Sequence, residues 1–390
     1  MDAPLALVLA GGGARAAYQV GVLCAIAEQA PALEFPILTG VSAGAINAVY
    51  LAAHRGPLTA AAETLRAQWS RLTVDRVYRI RPMRIGRAVL RSLAQLALGR
   101  RSETAAVRGI LDMEPLREFL ASGLDLSGID ANIAAGRLQA AALSATSYAS
   151  GDTVTFVHGP PDVPTWRRAL RHAVRAQLTI DHVMASAALP ILFSAVRVGD
   201  DFYGDGSVRQ TAPLAPAIHL GARALLVITQ APDPGAGSPT PRLRRYPTLA
   251  AVAGLLLHSI FLDALEADAE RLERLNRVLA ALPAGVSAPD GLRRVNLLML
   301  RPSRDLGALA AGHGARLPPM IRWLVRGVGG DGSTAVDFLS YLLFDPAYTT
   351  TLIELGYDDT RREWRRIERF LASLAGRERD ASRQHDSLGR

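Results

Sequence analysis

Gly40-Val41-Ser42-Ala43-Gly44 decides the reading of this chain. The five residues fit G-x-S-x-G, the pattern of a serine held on a sharp turn between a strand and a helix. Phe35 to Leu38 before it is an apolar run of strand length, and Ala45 to Ala53 after it is rich in helix formers. Small residues beside Ser42 let the turn tighten without a clash. The helix then aims its N-terminal N–H groups and positive dipole end at the serine. Gly40 and Gly44 are therefore read as supports of the motif and Ser42 as its nucleophile. The competing reading is an ordinary strand-to-helix turn that contains a serine.

A second motif lies upstream. Leu5 to Ala10 is apolar, Gly11-Gly12-Gly13 follows, and Ala14 to Gln29 has helical character. Glycines without side chains allow a loop to turn its N–H groups toward negative charge, which makes an anion cradle of Gly11, Gly12, Gly13, Ala14 and Arg15. A phosphate-binding loop needs Gly-Lys-Ser/Thr, which is absent. Gly11, Gly13 and Ala16 fit a dinucleotide fingerprint, but the next strand runs into Gly40 and Ser42 rather than an acidic residue. An oxyanion hole serving Ser42 uses both motifs at once.

These residues, with Asp205-Gly206, give the chain a resemblance to the patatin-like phospholipases. That family pairs a glycine-rich oxyanion loop with a G-x-S-x-G serine and an aspartate followed by glycine. The resemblance implies acyl hydrolysis by a Ser42–Asp205 dyad, with Asp205 as general base, Gly206 in support and no histidine. It also takes in Ala185 to Pro190, and segments at Val295 to Ser303 and Asp337 to Phe344. Ala16 and Ser207 depart from the family's usual residues, but both are small. The implied substrate is a phospholipid or other acyl ester. The implied fold is α/β, a mainly parallel central sheet with helices on both faces, with a helix-rich C-terminal part.

Other bases are weighed on position. His54 lies about three turns along the helix after Ser42 and points away from it. His219, His258 and His313 follow Asp205, so spacing alone leaves a Ser–Asp–His order open. Asp331-Gly332-Ser333 repeats the three residues at Asp205, but between glycines and with no strand to hold a base. An acyl hydrolase is the leading reading. A thioesterase or acyltransferase with the same dyad, and a membrane-associated regulatory protein with gated hydrolysis, are the alternatives.

The 390 residues include 44 basic ones, all arginine, against 36 acidic, for a net charge of +8. That balance suits anionic membranes or nucleic acid, and no nucleic-acid motif supports the second. Arg84, Arg87 and Arg91 share one side of a helical pattern whose other side is apolar, a candidate for anionic-membrane contact; a solvated helix face is the bland alternative. No zinc pattern occurs, and the dyad chemistry needs neither metal nor cofactor. Cys24, in the first helical run, is expected to be a small core residue. The N-terminal apolar run ends in the glycines, unlike a signal peptide, and Leu249 to Leu262 is short for a bilayer span. A cytoplasmic protein with peripheral membrane contact is expected.

Residues 1–231 read as the hydrolase core. Residues 232–375 read as the helix-rich part, with a late strand at 293–300 joining the sheet, and 376–390 as a disordered tail. Along the chain, Trp166 to Val174 reads as helix. Phe193 to Tyr203 reads as a hairpin with Asp205 just beyond it. Thr248 to Leu282 reads as a long helix broken once.

Overall fold

The computed structural model describes residues 4–80, 109–232, 248–283, 286, 288–316 and 338–374. Arg84, Arg87 and Arg91, the loop at 233–247, Asp331 and the tail at 376–390 lie outside these.

Short runs that are apolar, but for Thr39, become the central strands. β1 (Leu5–Leu9), β2 (Ile37–Val41) and β11 (Ala224–Ile228) are buried at every position. That is the pattern of parallel strands covered on both faces. A ten-stranded sheet runs in the order β12-β11-β1-β2-β5-β6-β8-β7. Its members include β5 (Ala140–Ser147), β6 (Thr153–His158) and β12 (Asn296–Leu300). β12, β11, β1, β2 and β5 are mutually parallel. β6 turns back antiparallel to β5. A hairpin of β9 (Val196–Val198) and β10 (Asp201–Asp205) adds antiparallel to the far end of β5. Asp205 is thus the last residue of a strand rather than a residue beyond it. A separate small pair joins β3 (Arg79–Ile80) to β4 (Leu111–Asp112).

Alternation along each strand divides two cores. Leu5, Leu7 and Leu9 face one with α1 (Ala17–Gln29), α2 (Ala43–Ala53) and α3 (Leu58–Trp69). Ala6, Val8 and Ala10 face the other. Helices cover both faces, as the sequence implies. The first core also takes Leu116 and Leu120 of α5 (Glu114–Gly123), and Tyr348, Leu352 and Ile353 of α12 (Pro346–Arg362). α1 and α12 cross very closely, because a Cβ on Gly21 would stand 1.9 Å from the Ile353 carbonyl oxygen. The remaining short helices, α4 (Val74–Val77), α6 (Ser127–Ala134), α7 (Ile180–Ala187), α8 (Ala215–His219) and α11 (Leu306–Ala310), join these elements.

One helical expectation changes and another holds. Trp166 to Val174 is not a helix but the hairpin of β7 (Arg167–Arg168) and β8 (Arg171–Arg175). Ala173 of β8 is buried, and β8 finds a parallel partner in β6. The long helical pattern after Thr248 is α9 (Leu249–His258) and α10 (Ala264–Ala280), joined by a π turn at Ser259–Asp263.

Candidate active site

The site forms where β1, β2 and β10 end. Ser42 follows β2 with φ 55° and ψ −130°. This is left-handed backbone, unusual for any residue but glycine and found at functional turns. Glycine is needed on both sides for space. A Cβ on Gly40 would lie 2.5 Å from the Gly44 carbonyl oxygen, and one on Gly44 2.3 Å from that of Leu9. The Ser42 N–H donates to Ser186 Oγ at 3.0 Å, and that hydroxyl donates to the Ser144 carbonyl at 2.7 Å. Ser186, fully buried on α7, therefore ties the strained turn to β5.

Asp205 is fully buried opposite Ala145 of β5. Its backbone is fixed at both ends: its N–H donates to the Ala188 carbonyl at 2.8 Å, and its carbonyl accepts from Thr146 Oγ1 at 2.8 Å. Oδ1 accepts the Ser207 N–H at 2.9 Å. Gly206 passes so close to β5 that a Cβ would sit 2.2 Å from the Ser144 carbonyl oxygen. Burial pushes the carboxyl up to about 6, and the nearby Ser42 hydroxyl and the Ser207 N–H hold it from going higher. Oδ2 has no hydrogen-bond partner among the described residues, although the Ser42 hydroxyl is near enough to lower the carboxyl's pKa. Catalytic hydrogen bonds commonly tighten only with substrate in place.

The glycine loop follows β1. Gly13 has φ 55°, and a Cβ there would lie 2.1 Å from the Tyr341 carbonyl oxygen. The expected five-residue cradle is narrower than the sequence suggests. Ala14 donates its N–H to the Tyr341 carbonyl at 2.9 Å, and Arg15 donates its own to the Gly12 carbonyl at 3.1 Å. These two N–H groups are already committed. The N–H groups of Gly11, Gly12 and Gly13 have no acceptor among the described residues. The Arg15 side chain is buried and turned toward the C-terminal part. Its Nε donates to Ser340 Oγ at 2.7 Å, and its guanidinium lies 3.9 Å from the centre of the Tyr341 ring. Arg15 anchors the loop.

A polar chain inside the apolar core supports the same loop. Trp69 Nε1 donates to Asn47 Oδ1 at 2.8 Å, Asn47 to Gln19 Oε1 at 2.9 Å, and Gln19 to the Ala10 carbonyl at 2.8 Å. Sequence reading missed Ser186, Gln19 and Asn47. Lone amides inside the apolar runs of α1 and α2 were the available signal for the last two.

Ser42, Asp205, Gly13 and Ala43 line one cavity whose remaining wall is almost wholly apolar. It includes Ile46 and Tyr50 of α2, Leu65 and Trp69 of α3, Leu116 and Phe119 of α5, and Phe261. None of the seven described histidines lines it. Each sits in another setting: His158 bonds Asp130 at 2.8 Å, His219 stacks on Trp166, and His258 lies 4.0 Å from Asp263. Among the described residues no helix is long and apolar enough to cross a membrane.

A search of curated proteins finds no match. Among solved structures, human GIVD cytosolic phospholipase A2 in complex with methyl gamma-linolenyl fluorophosphonate is similar at 15% identity and a TM-score of 0.47. The match covers 95% of this chain but only 59% of that one. VipD from Legionella pneumophila is similar at 12% identity and a TM-score of 0.36, covering 93% of this chain and 66% of that one. The type III effector ExoU is similar at 16% identity and a TM-score of 0.27, covering 88% of this chain and 76% of that one. The patatin-like phospholipase family model matches residues 7–218, the stretch that holds the glycine loop, Ser42, Ser186 and Asp205. The chain belongs to the patatin-like phospholipase family.

Proposed function

We propose that the protein hydrolyses acyl esters of lipids, phospholipids or lysophospholipids, through Ser42 and Asp205. One observation carries the reading: a serine on left-handed backbone and a buried carboxylate face one apolar cavity. Asp205, ionised above about pH 6, accepts the Ser42 proton as Oγ attacks the ester carbonyl. The N–H groups of Gly12, Gly13 and Ala43 stabilise the tetrahedral oxyanion, with the positive end of α2 adding to their field. Collapse of this intermediate leaves an acyl-Ser42, and the proton held by Asp205 goes to the departing alcohol. Water then gives its proton to Asp205 and attacks the acyl carbonyl, releasing the fatty acid and restoring Ser42. The apolar wall suits an acyl chain and excludes competing water. The placement of all seven described histidines away from the cavity supports a dyad over a triad.

The test is fatty-acid release from a panel of phospholipids, lysophospholipids and acyl thioesters, with wild type and Ser42→Ala. Release from oxygen esters by wild type alone, with fluorophosphonate labelling at Ser42, is expected. Labelling at another serine, or undiminished release by the variant, overturns the reading. Preference for the thioester would favour the thioesterase alternative. The basic stretch at Arg84, Arg87 and Arg91 stays a proposed anionic-membrane contact on sequence grounds.

A further inference from the structure

The end of the sheet that holds the active site carries an unexplained surface. β5 runs two residues past Ala145, the partner of Asp205, and Tyr148 follows, so Tyr148 stands about 10 Å beyond the site. There Tyr148 donates its N–H to the Phe202 carbonyl at 2.9 Å, and both rings are about half exposed. Phe202 in turn stands opposite Arg197 of β9. Beyond the turn into β6, Thr153 donates to the Leu170 carbonyl at 2.9 Å, which brings the β7–β8 hairpin to the same end.

Leu170, at the tip of that hairpin, is 61% exposed and has φ 58°. A turn that needs left-handed backbone is ordinarily filled by glycine or asparagine, and a leucine there is strained. An exposed apolar side chain is thus kept at a position that disfavours it. It is collared by charge: residues 167–175 read RRALRHAVR, four arginines and no acid. Arg167 and Arg168 are exposed. Of the acids nearby, Asp152 lies 3.5 Å from His172 and Asp200 3.3 Å from Arg197, while Asp201 begins β10.

The geometry points to a docking surface for an anionic lipid bilayer, in which Leu170, Tyr148 and Phe202 enter the interface and Arg167 and Arg168 meet lipid phosphates. Rings with one apolar and one polar end favour the headgroup boundary, and arginines beside them are drawn to negative surface potential. Docking by this end brings the bilayer to the face of the sheet where Ser42 and Asp205 lie. The surface differs from the stretch at Arg84 to Arg91, and its binding needs no turnover.

The experiment is co-sedimentation of the full chain, carrying Ser42→Ala to prevent hydrolysis, with phosphatidylcholine vesicles with and without phosphatidylglycerol. Binding to the anionic vesicles is expected, weakening as salt rises. Arg167→Gln with Arg168→Gln should weaken it about thirtyfold, at about fivefold for each arginine. Leu170→Gly suits the left-handed turn, so its melting temperature should not fall. It should still lower vesicle binding about tenfold, including at high salt where the arginines count for little. Tyr148→Ser should act in the same direction. In the Ser42 background, hydrolysis of a short soluble ester by these variants should match the parent. Unchanged vesicle binding by the folded variants overturns the inference, as does their selective loss of binding to a single-stranded RNA probe in place of vesicles. Neither result touches the hydrolase reading, which the soluble ester tests separately.

Discussion

Asp205 links activity to stability with opposite signs. Burial holds its carboxyl near 6 in the folded protein against 3.8 for an ordinary aspartate. The folded state therefore binds that proton more tightly than the unfolded chain. The resulting stability is full below about pH 4 and is lost as pH rises through about 6, on the order of 3 kcal/mol in total. As the proposed general base it must be ionised, so kcat/KM should rise with pH through an apparent pKa near 6, and stability should fall over the same window. Asp205→Asn should abolish turnover. It should also raise the melting temperature relative to wild type at pH 8 and not at pH 4, because Asn keeps an acceptor for the Ser207 N–H. A variant destabilised at both pH values would contradict the burial argument. Ser186 makes a second prediction. Ser186→Ala strands the Ser42 N–H and the Ser144 carbonyl inside the protein, at about 1–3 kcal/mol for a buried group left unsatisfied. The fluorophosphonate labelling rate of Ser42 should fall at least tenfold while KM for a soluble ester changes little. A parallel rise in KM with unchanged labelling would assign Ser186 to substrate binding instead. Ser42 and Asp205, the residues of the proposed dyad, could be singled out in the sequence because each sits in a short contiguous motif. Ser186 and the commitment of Ala14 and Arg15 were not, since their partners come from Ser144, Ser340 and Tyr341, remote in the chain.

Strands with a single meaning were readable, and elements with two meanings were not. β1 and β11 are unbroken apolar runs and β2 is apolar but for Thr39, and only a doubly covered strand accommodates them. The arginine-rich 166–174 stretch fits a helix by composition. Its outcome was set by the free edge of β6, a partner that local propensity does not contain. α1 was readable as a helix, but what buries its long apolar run, the sheet core together with α12, was not. Gly21 and Gly356 are the contact points, and a Cβ on Gly356 would lie 2.2 Å from the Tyr18 carbonyl oxygen. Both obstacles are backbone and have no rotamer to escape through. Gly356→Ala gains helix propensity of about 1 kcal/mol in α12 yet should lower stability by at least 2 kcal/mol, as overpacking exceeds the gain. Urea denaturation with an unchanged m-value would measure it. A stabilised variant would mean that the two helices separate readily, and that α12 is less integral to the core than its buried face indicates.

The cavity sets what the whole molecule can select. Ala43, Ile46 and Tyr50 line it from one face of α2, at successive turns leading away from Ser42. At 1.5 Å per residue, Ile46 stands about 6 Å along the helix from Ser42 and Tyr50 about 12 Å. Trp69, Leu116 and Phe119 close the facing side, so the wall offers burial and little hydrogen bonding. Such a wall rewards length: each methylene buried contributes about 0.8 kcal/mol, or roughly fourfold in kcat/KM. Across p-nitrophenyl esters of increasing chain length, kcat/KM should climb by about that factor per methylene and then level off. Ile46→Phe adds bulk at the nearer turn. It should leave the shortest esters nearly unaffected and bring the plateau earlier, with the loss growing for longer chains. Tyr50→Trp, farther along, should affect only the longest. A uniform loss across all lengths for Ile46→Phe would mean that the substitution disturbs the turn at Ser42 itself. An unchanged profile in both variants would mean that the acyl chain leaves the serine by another route, and that the apolar wall along α2 belongs to the core rather than to the substrate.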